Sequence, residues 1–256
     1  MYKHKITNEQ VLALLEQGLS IQEVSRQLSV NRSSVLKRLK KLDIHVPNRQ
    51  TSTKFNDRKF DVIDTEQKAY WLGFLFADGY LSASSYNMEL SLSIKDRTHL
   101  QKFADFLEYP NNVKTDSFRC RFSITNKHLW ETLNKLGCTP RKSLTLKFPS
   151  PEIFKNPLLI RDFIRGYFDG DGCVYFTKTG RLSCSILGTK EFITEMVKHI
   201  GIPRNLFQRN PNKNTFTVQY SHSTADSFCN YLYSDATIYL DRKYNKYRFA
   251  VSQSDL

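Results

Sequence analysis

The feature that most constrains this chain is an apolar helical run that occurs twice and ends each time in an acidic residue followed by glycine. The two copies read Trp71-Leu-Gly-Phe-Leu-Phe-Ala-Asp78-Gly79 and Ile164-Arg-Gly-Tyr-Phe-Asp-Gly-Asp171-Gly172. Within each copy two small residues are spaced four apart, so they lie on one helix face and leave it almost flat. These small residues are Gly73 with Ala77, and Gly166 with Gly170. The pattern predicts two helices packed in parallel, backbone against backbone.

Parallel packing would bring Asp78 and Asp171 together, and each helix is expected to stop at its glycine in the left-handed conformation. A carboxylate at a helix C-terminus faces the negative end of the helix dipole, at a cost of about 0.3–1 kcal/mol. Two converging carboxylates also repel each other unless a cation lies between them, and hard oxygen ligands suit Mg²⁺. We interpret the pair as a metal site. Two unrelated Asp-Gly turns would explain each copy separately but not the repeat.

Composition limits the classes of protein to which this chain can belong. The chain has 256 residues and a formal net charge of +13, which favours a polyanionic partner such as nucleic acid. It contains no run of eighteen apolar residues, and its first residues lack the apolar core of a signal peptide. We therefore expect an intracellular protein without a membrane span. Five widely spaced cysteines form no zinc pattern, so we expect reduced thiols that are mostly buried.

The N-terminal region has the pattern of a small helical domain. Thr7 with Gln10 predicts a capping box for a first helix, and two further short helices follow, with a tight turn at residues 29–31. Six basic residues and no acidic residue lie between Val24 and Leu42. This arrangement resembles the helix-turn-helix of many small DNA-binding domains, although solvated charge on an amphipathic helix would also explain it. The candidate DNA contacts are Arg32, Ser33, Lys37 and Arg38.

The rest of the chain divides into a linker and two similar halves. Residues 1–46 form the predicted helix-turn-helix domain, residues 47–66 a polar linker, and residues 67–256 two halves of about 67–149 and 150–256. Each acidic residue is followed by a strand that reads Leu-Ser-x-Ser-Ile, and then by helical runs and strand pairs. A matching basic dipeptide closes each half, Arg141-Lys142 and Arg242-Lys243. One lysine per half is what a symmetric site would need.

These residues resemble the LAGLIDADG family of homing endonucleases in its single-chain, two-motif form. The resemblance implies an α+β fold, with two αββαββα halves related by pseudo-twofold symmetry and forming a saddle over DNA. It also implies a monomer that cuts both strands with Mg²⁺, for which Mn²⁺ can substitute. In this reading Asp78 and Asp171 bind the metal, helped by the carbonyl groups of Ala77 and Gly170. Lys142 and Lys243 match the basic residue near each scissile phosphate. A family position near the metal-bound water falls near Asp96 in the first half and near Gly188 in the second.

Side chains on the exposed sheet faces are the expected readers of the DNA bases, because Arg pairs with guanine and Asn or Gln with adenine in the major groove. The candidates are Ser84, Ser85, Asn87, Arg119, Arg121, Thr177, Lys178, Arg181, Arg209 and Lys213.

Two other functions remain open at this stage. A non-catalytic DNA-binding regulator with the same fold would keep the basic surface without cutting, and an intron RNA maturase would use that surface on RNA. Retention of both motif acids and both lysines favours the endonuclease, carried by an intron or acting as a free-standing mobile element. We expect it in the cytoplasm or nucleoid of a bacterial or phage host, or in an organelle.

Overall fold

The structure, a computed structural model, describes residues 6–17, 19, 21–42, 44, 55–208, 210–211 and 213–254. The chain forms two compact units, Met1–Thr53 and Lys54–Leu256. The two units are considered separately below.

Three helices make up the described part of the first unit: α1 (Asn8–Glu16), α2 (Ile21–Gln27) and α3 (Arg32–Lys41). Thr7 caps α1 through the predicted capping box, because its hydroxyl accepts from the Gln10 amide and its own amide donates to the Gln10 side chain. Val11, Val24, Val35 and Leu39 form a small core between the helices. The prediction of an all-α N-terminal region is confirmed, although residues 1–5 and 45–46 at its ends lie outside the described residues.

The second unit contains the predicted repeat of αββαββα. The elements of its first half are α4 (Glu66–Asp78), β1 (Gly79–Leu81), β2 (Asn87–Ser93), α5 (Arg97–Phe106), β3 (Val113–Thr115), β4 (Arg119–Thr125) and α6 (Lys127–Lys135). Those of its second half are α7 (Leu159–Asp171), β5 (Gly172–Phe176), β6 (Leu182–Gly188), α8 (Lys190–Ile200), β7 (Phe207–Gln208), β8 (Phe216–Ser221) and α9 (Ser223–Tyr233). The α+β fold of two similar halves is confirmed.

Each half carries one four-stranded antiparallel sheet, in the order β1-β2-β4-β3 or β5-β6-β8-β7. Side chains alternate between the two faces of each strand, as the burial of Met88, Leu90 and Leu92 along β2 illustrates. The buried faces pack against the helices in one continuous core. The opposite face of each sheet is open, which leaves a row of side chains available to a partner.

Helices α4 and α7 pack through their backbones, as the sequence predicts. Every residue of α4 has a counterpart in α7 that lies 93 positions further along the chain. A Cβ atom on Gly73 would lie 1.9 Å from the carbonyl oxygen of Phe163, and one on Gly166 would lie 1.9 Å from that of Tyr70. No side chain fits at either position. The two C-terminal ends therefore lie side by side.

The glycines that follow these helices do not adopt the predicted left-handed conformation. Gly79 has φ −69° and ψ 141°, and Gly172 has φ −84° and ψ 162°, so both are extended and lead directly into a strand. Glycine is required at both positions because a side chain would clash with the last turn of the helix. A Cβ on Gly79 would lie 2.5 Å from the carbonyl oxygen of Leu75, and one on Gly172 would lie 2.4 Å from that of Phe168.

The predicted linker is shorter than the sequence suggests. Residues 47–54 lie outside the described residues, whereas residues 55–66 belong to the second unit. Phe60 and Ile63 are fully buried in its core, and Ile63 forms a β-bridge with Phe154. The Asn56 amide donates to the carbonyl oxygen of Leu107 at 2.9 Å. The polar residues around these two apolar side chains concealed their contribution to the core.

Helix α10 (Asp241–Ser254) follows α9 and was not predicted. Its mean composition is polar, but Tyr244, Tyr247 and Val251 recur at helical spacing and pack on the core. Among the residues that the structure describes, no helix is both long and apolar enough to cross a membrane.

Substitution of Gly73 tests the backbone contact. Alanine normally favours a helix over glycine by about 1 kcal/mol, but here its Cβ would meet the backbone of α7, so we expect Gly73→Ala to lower the free energy of unfolding by about 3 kcal/mol. Gly180→Ala is the control, because Gly180 has φ +76° and no neighbouring atom within 4 Å. Strain alone there should cost about 1 kcal/mol. Equal losses in urea unfolding would contradict the steric explanation.

Candidate active site at the ends of the paired helices

Two carboxylates lie at the adjacent ends of α4 and α7. Asp78 and Asp171 are the last residues of these helices, and each is exposed to solvent on one side and packed against protein on the other. The oxygen Oδ2 of Asp78 would lie 3.4 Å from a Cβ on Gly170, so this carboxylate reaches the end of the other helix. The structure therefore brings together the two acids that the sequence predicts to be neighbours.

Their surroundings disfavour the ionised forms. Loss of hydration, followed by the negative charge of Asp171, raises the pKa of Asp78 to about 6. Loss of hydration also raises the pKa of Asp171, although the charge of Lys142 and a hydrogen bond from Tyr167 oppose the rise. A bound cation would reverse both shifts, because it favours the ionised form of each group.

The two lysines cap the helices that carry the acids. Lys142 donates from Nζ to the carbonyl oxygen of Ala77 at 3.1 Å and also to that of Gly79. Lys243 donates to the carbonyl oxygens of Phe168 at 2.6 Å, Asp169 at 2.8 Å and Gly170 at 3.4 Å, and also to that of Gly172. Each ammonium group thus satisfies carbonyls that a helix end leaves without partners and neutralises the negative end of the dipole.

These contacts supply a cation that was not predicted from the sequence. The sequence predicts a metal ion as the cation that makes an acidic helix end acceptable, whereas the structure supplies an ammonium group to each helix. Lys243 is almost fully buried, and burial lowers its pKa to about 8, although the charge of Asp169 opposes the shift. A metal ion would therefore offset only the repulsion between the carboxylates of Asp78 and Asp171.

The donor atoms present fit a hard divalent cation. Asp78 and Asp171 supply carboxylate oxygens, and the carbonyl oxygens of Ala77 and Gly170 lie at the same helix ends. Each of these carbonyls already accepts from a lysine, but an oxygen with two lone pairs can also bind a cation. Within the described part of the chain, no cluster of three or more His, Cys, Asp or Glu side chains is arranged to hold a metal. The set suits Mg²⁺, which commonly completes its coordination with water and substrate oxygens.

Asp169 is a third important acid, which the sequence analysis did not select. It is fully buried and accepts hydrogen bonds from the Tyr70 hydroxyl at 2.8 Å, the Tyr233 hydroxyl at 2.6 Å and the Leu240 amide at 2.7 Å. These contacts join α4, α7 and α9 immediately behind the carboxylate pair. An acidic residue inside an otherwise apolar helical run is the signal that could have identified it. Its counterpart in the first half is Phe76.

A second unpredicted network fixes the opposite ends of the same helices. Arg165 is fully buried and donates from Nη2 to Glu66 at 2.6 Å, from Nη1 to Asp162 at 2.9 Å and from Nε to the carbonyl oxygen of Ile238 at 3.0 Å. Glu66 also accepts from the Thr237 amide at 2.8 Å. The helix pair is therefore held at its N-terminal ends by charged groups and at its C-terminal ends by Asp169 and the lysines.

The open faces of the two sheets differ in charge. On the first sheet Arg121 of β4 lies opposite Lys114 of β3, and Arg119 is exposed two residues away. Asn87 is half-buried and accepts from Ser123 at 3.0 Å. The corresponding described positions on β5, β6 and β8 carry no charged side chain; they are Cys173, Tyr175, Ser183, Ser185, Leu187, Thr217, Gln219 and Ser221.

The remaining predicted DNA contacts lie in loops or in the first unit. Lys178, Arg181 and Lys213 are exposed in the loops of the second half, and Arg209 lies outside the described residues. On α3, Arg32, Ser33 and Lys37 are exposed on the helix surface. Arg38 is only half-exposed and donates from Nη1 to Asn8 of α1 at 3.2 Å, so it also holds the helices of that unit together.

The two lysines should contribute unequally to stability. Lys243→Met would leave buried carbonyl groups of α7 without a donor, so we expect a loss of about 3 kcal/mol in the free energy of unfolding. Lys142→Met removes fewer contacts and should cost about 1–2 kcal/mol. Lys198→Met, at an exposed position on α8, is the control in metal-free urea unfolding. Similar losses for Lys142 and Lys243 would contradict the difference in capping.

Comparison with known proteins relates part of the chain to a family model. Residues 159–249 match the family model of a LAGLIDADG-like domain. The uncharacterized protein MJ0314 of Methanocaldococcus jannaschii is 25% identical over 136 residues, which are 49% of this chain and 48% of that protein. The matched region thus spans about half the length of this curated relative.

Solved structures are similar to this chain over 73% of its length. A crystal structure of the LAGLIDADG meganuclease I-AabMI bound to uncleaved DNA is similar with a TM-score of 0.51 and 15% identity, over 73% of this chain and 90% of that chain. A K262A mutant of I-SmaMI has a TM-score of 0.49 and 12% identity, over 73% and 92% of the two chains. Residues 159–249 are therefore similar to a LAGLIDADG-like domain, and the first half repeats the order of helices and strands found there.

Proposed function

We propose that this protein is a site-specific endonuclease that uses a divalent metal to cut both strands of a duplex DNA target. The observation that carries the proposal is the convergence of Asp78 and Asp171, with one buried lysine behind each of them. Two similar halves in one chain suit a duplex, because each half can serve one strand. A single chain then suffices, and we propose that the protein acts as a monomer.

Mg²⁺, with Mn²⁺ as a substitute, would be held by the carboxylates of Asp78 and Asp171 and the carbonyl groups of Ala77 and Gly170. The ion would supply Lewis-acid activation of water and charge neutralisation at the phosphate. Asp78 and Asp171 are exposed residues at the helix ends, where a phosphate can approach. Lys142 and Lys243 keep positive charge directly behind these ends, which favours the additional negative charge of the transition state.

The open sheet faces and the net charge support duplex DNA as the substrate. The formal charge of +13 provides the attraction to a polyanion. On the first sheet Arg119, Arg121 and Asn87 have side chains that can read guanine and adenine in the major groove. Lys178, Arg181 and Lys213 extend from loops of the second half, where they would contact the DNA backbone, and we propose the same role for Arg209.

The N-terminal unit, residues 1–46, would add a second DNA contact. Its third helix exposes Arg32, Ser33 and Lys37 and packs through Val35 and Leu39. This pattern suits the recognition helix of a helix-turn-helix, whose basic residues fix its register through phosphates.

A non-catalytic DNA-binding regulator is the second candidate. It is favoured by the capping of both acidic helix ends by lysine, because the fold then needs no metal ion to neutralise the helix dipoles. An RNA maturase would use the same basic surface on a structured RNA. Cutting, duplex binding without cutting, and a preference for RNA distinguish these three functions.

Substitution of the two acids tests the proposed activity. Asp78→Asn or Asp171→Asn should abolish double-strand cutting, because each removes a carboxylate ligand, and should leave DNA binding largely intact. Stability without metal should stay equal or rise, since the repulsion between the acids is lost. Cutting would be measured on a randomised duplex library with Mg²⁺, beside an EDTA control, by sequencing the ends produced. Cutting by both variants would overturn the metal-site proposal, and enrichment without ends would favour the regulator.

Two substitutions on α3 test the role of the N-terminal unit within the full chain. Arg32→Ala with Lys37→Ala should weaken DNA binding and reduce the slope of log affinity against log salt concentration by about 1.8, since each lost phosphate contact contributes about 0.9. Lys198→Ala removes an exposed charge from the helical side of the second half and should leave the slope nearly unchanged. Equal slopes for both variants would show that α3 does not contact phosphates.

A further inference from the structure

We propose that Arg242 binds a phosphate of only one of the two DNA strands and that Asp96 positions it for that contact. The inference rests on the proposed endonuclease function and deepens it. Arg242, which was not selected from the sequence although its neighbour Lys243 was, thereby contacts a phosphate of one strand.

The arginine is held by a carboxylate of the opposite half. Arg242 Nε, at the start of α10, donates to both carboxylate oxygens of Asp96, at 3.0 Å and 3.1 Å. Asp96 is buried, whereas the Arg242 side chain is 54% exposed. Among the described residues, no acceptor meets the two terminal nitrogens of this guanidinium. A charged planar group with two free amino groups is suited to phosphate oxygens.

Arg242 is the immediate neighbour of Lys243, the lysine that caps the acidic end of α7. Loss of hydration and the charge of Asp171 raise the pKa of Asp78, and the positive charge of Arg242 opposes this rise together with Lys243 and Lys142. Because Lys243 caps the helix that ends in Asp171 and the side chain of Arg242 is half-exposed, we place this side chain within reach of a phosphate that approaches the two acids.

Asp96 stands at a helix N-terminus but does not cap the helix with its side chain. It is the N-cap of α5, but its side chain makes no capping hydrogen bond, so the stabilisation that an N-cap side chain usually gives is absent. Its counterpart 93 positions further on is Thr189, one residue beyond the Gly188 expected from the sequence. The Thr189 hydroxyl caps α8 by accepting from the Phe192 amide at 3.2 Å. The Asp96 side chain thus binds Arg242 instead of capping its own helix.

The other half lacks this arrangement. Arg141 corresponds to Arg242 in the matching dipeptide, but it lies in a left-handed turn with φ 56° and is exposed. No acidic side chain of the described residues holds it, and the position equivalent to Asp96 is a threonine. One centre therefore has a positioned arginine and the other does not, so the two strands should be cut at unequal rates.

Strand-resolved cutting by the full-length protein tests the proposal. A duplex target with a different fluorophore on each strand would report both cutting rates under single-turnover conditions with Mg²⁺. Arg242→Gln should slow one strand roughly 10-fold or more relative to the other, as expected for loss of a charged contact to the reacting phosphate. Asp96→Asn should slow the same strand by a smaller factor, and Arg242→Lys should restore part of the rate. Arg141→Gln is the matched control and should cause no comparable bias.

Other outcomes separate this inference from the proposed function. Equal slowing of both strands by Arg242→Gln, or no slowing, would overturn the inference while leaving the endonuclease intact. If the wild-type protein binds duplex DNA without cutting, the endonuclease proposal fails. The salt dependence of binding then tests whether Arg242 contacts a phosphate. A slope lower by about 0.9 in Arg242→Gln than in wild type would support the phosphate contact, and an unchanged slope would overturn it. Absence of any duplex binding would overturn both proposals.

Discussion

The direct backbone contact between α4 and α7 is the constraint on which the rest of the structure depends. Because Gly73 faces the Phe163 carbonyl and Gly166 faces the Tyr70 carbonyl, the two helices lie closer than side chains would permit. This closeness sets the helix ends level with each other. The carboxylates of Asp78 and Asp171 meet there, and the two sheets follow directly from the same helix ends. The spacing of small residues thus determines both the pseudo-symmetry of the fold and the position of the candidate site.

Such close packing concentrates negative charge at one end of the helix pair. Basic side chains from distant segments of the chain compensate for this charge. Lys142 and Lys243 cap the two helices, and Asp96 holds Arg242 beside them. Each lysine returns to the helix of its own half, whereas the Arg242 contact crosses between the halves. The basic groups near the candidate site therefore also hold the fold together, and their substitution affects stability as well as any chemistry.

The sequence predicted the elements that depend on local pattern. Periodicity and repetition placed the motif helices, the strands of each half and the flat faces of Gly73 and Gly166. It did not predict the extended conformation of Gly79, because that depends on how closely the following strand leaves the helix. The contacts of Asp169 and of the Asp96–Arg242 pair join residues at least 64 positions apart, and no local pattern specifies them. Helix α10 was missed because only one narrow face of it is apolar.

The connection between Asp169 and Leu240 has a consequence for the order in which this protein matures on the ribosome. The acid pair lies at the ends of α4 and α7, but its support comes from Tyr233, Leu240 and Lys243, which lie at least 64 positions after their partners in α7. Contacts of such high sequence separation form late, because a long loop must close first. During synthesis the first half can emerge and begin to fold while the site is still incomplete. A truncated product that stops before α9 would thus retain the basic sheet of the first half but none of these three supports of the acid pair.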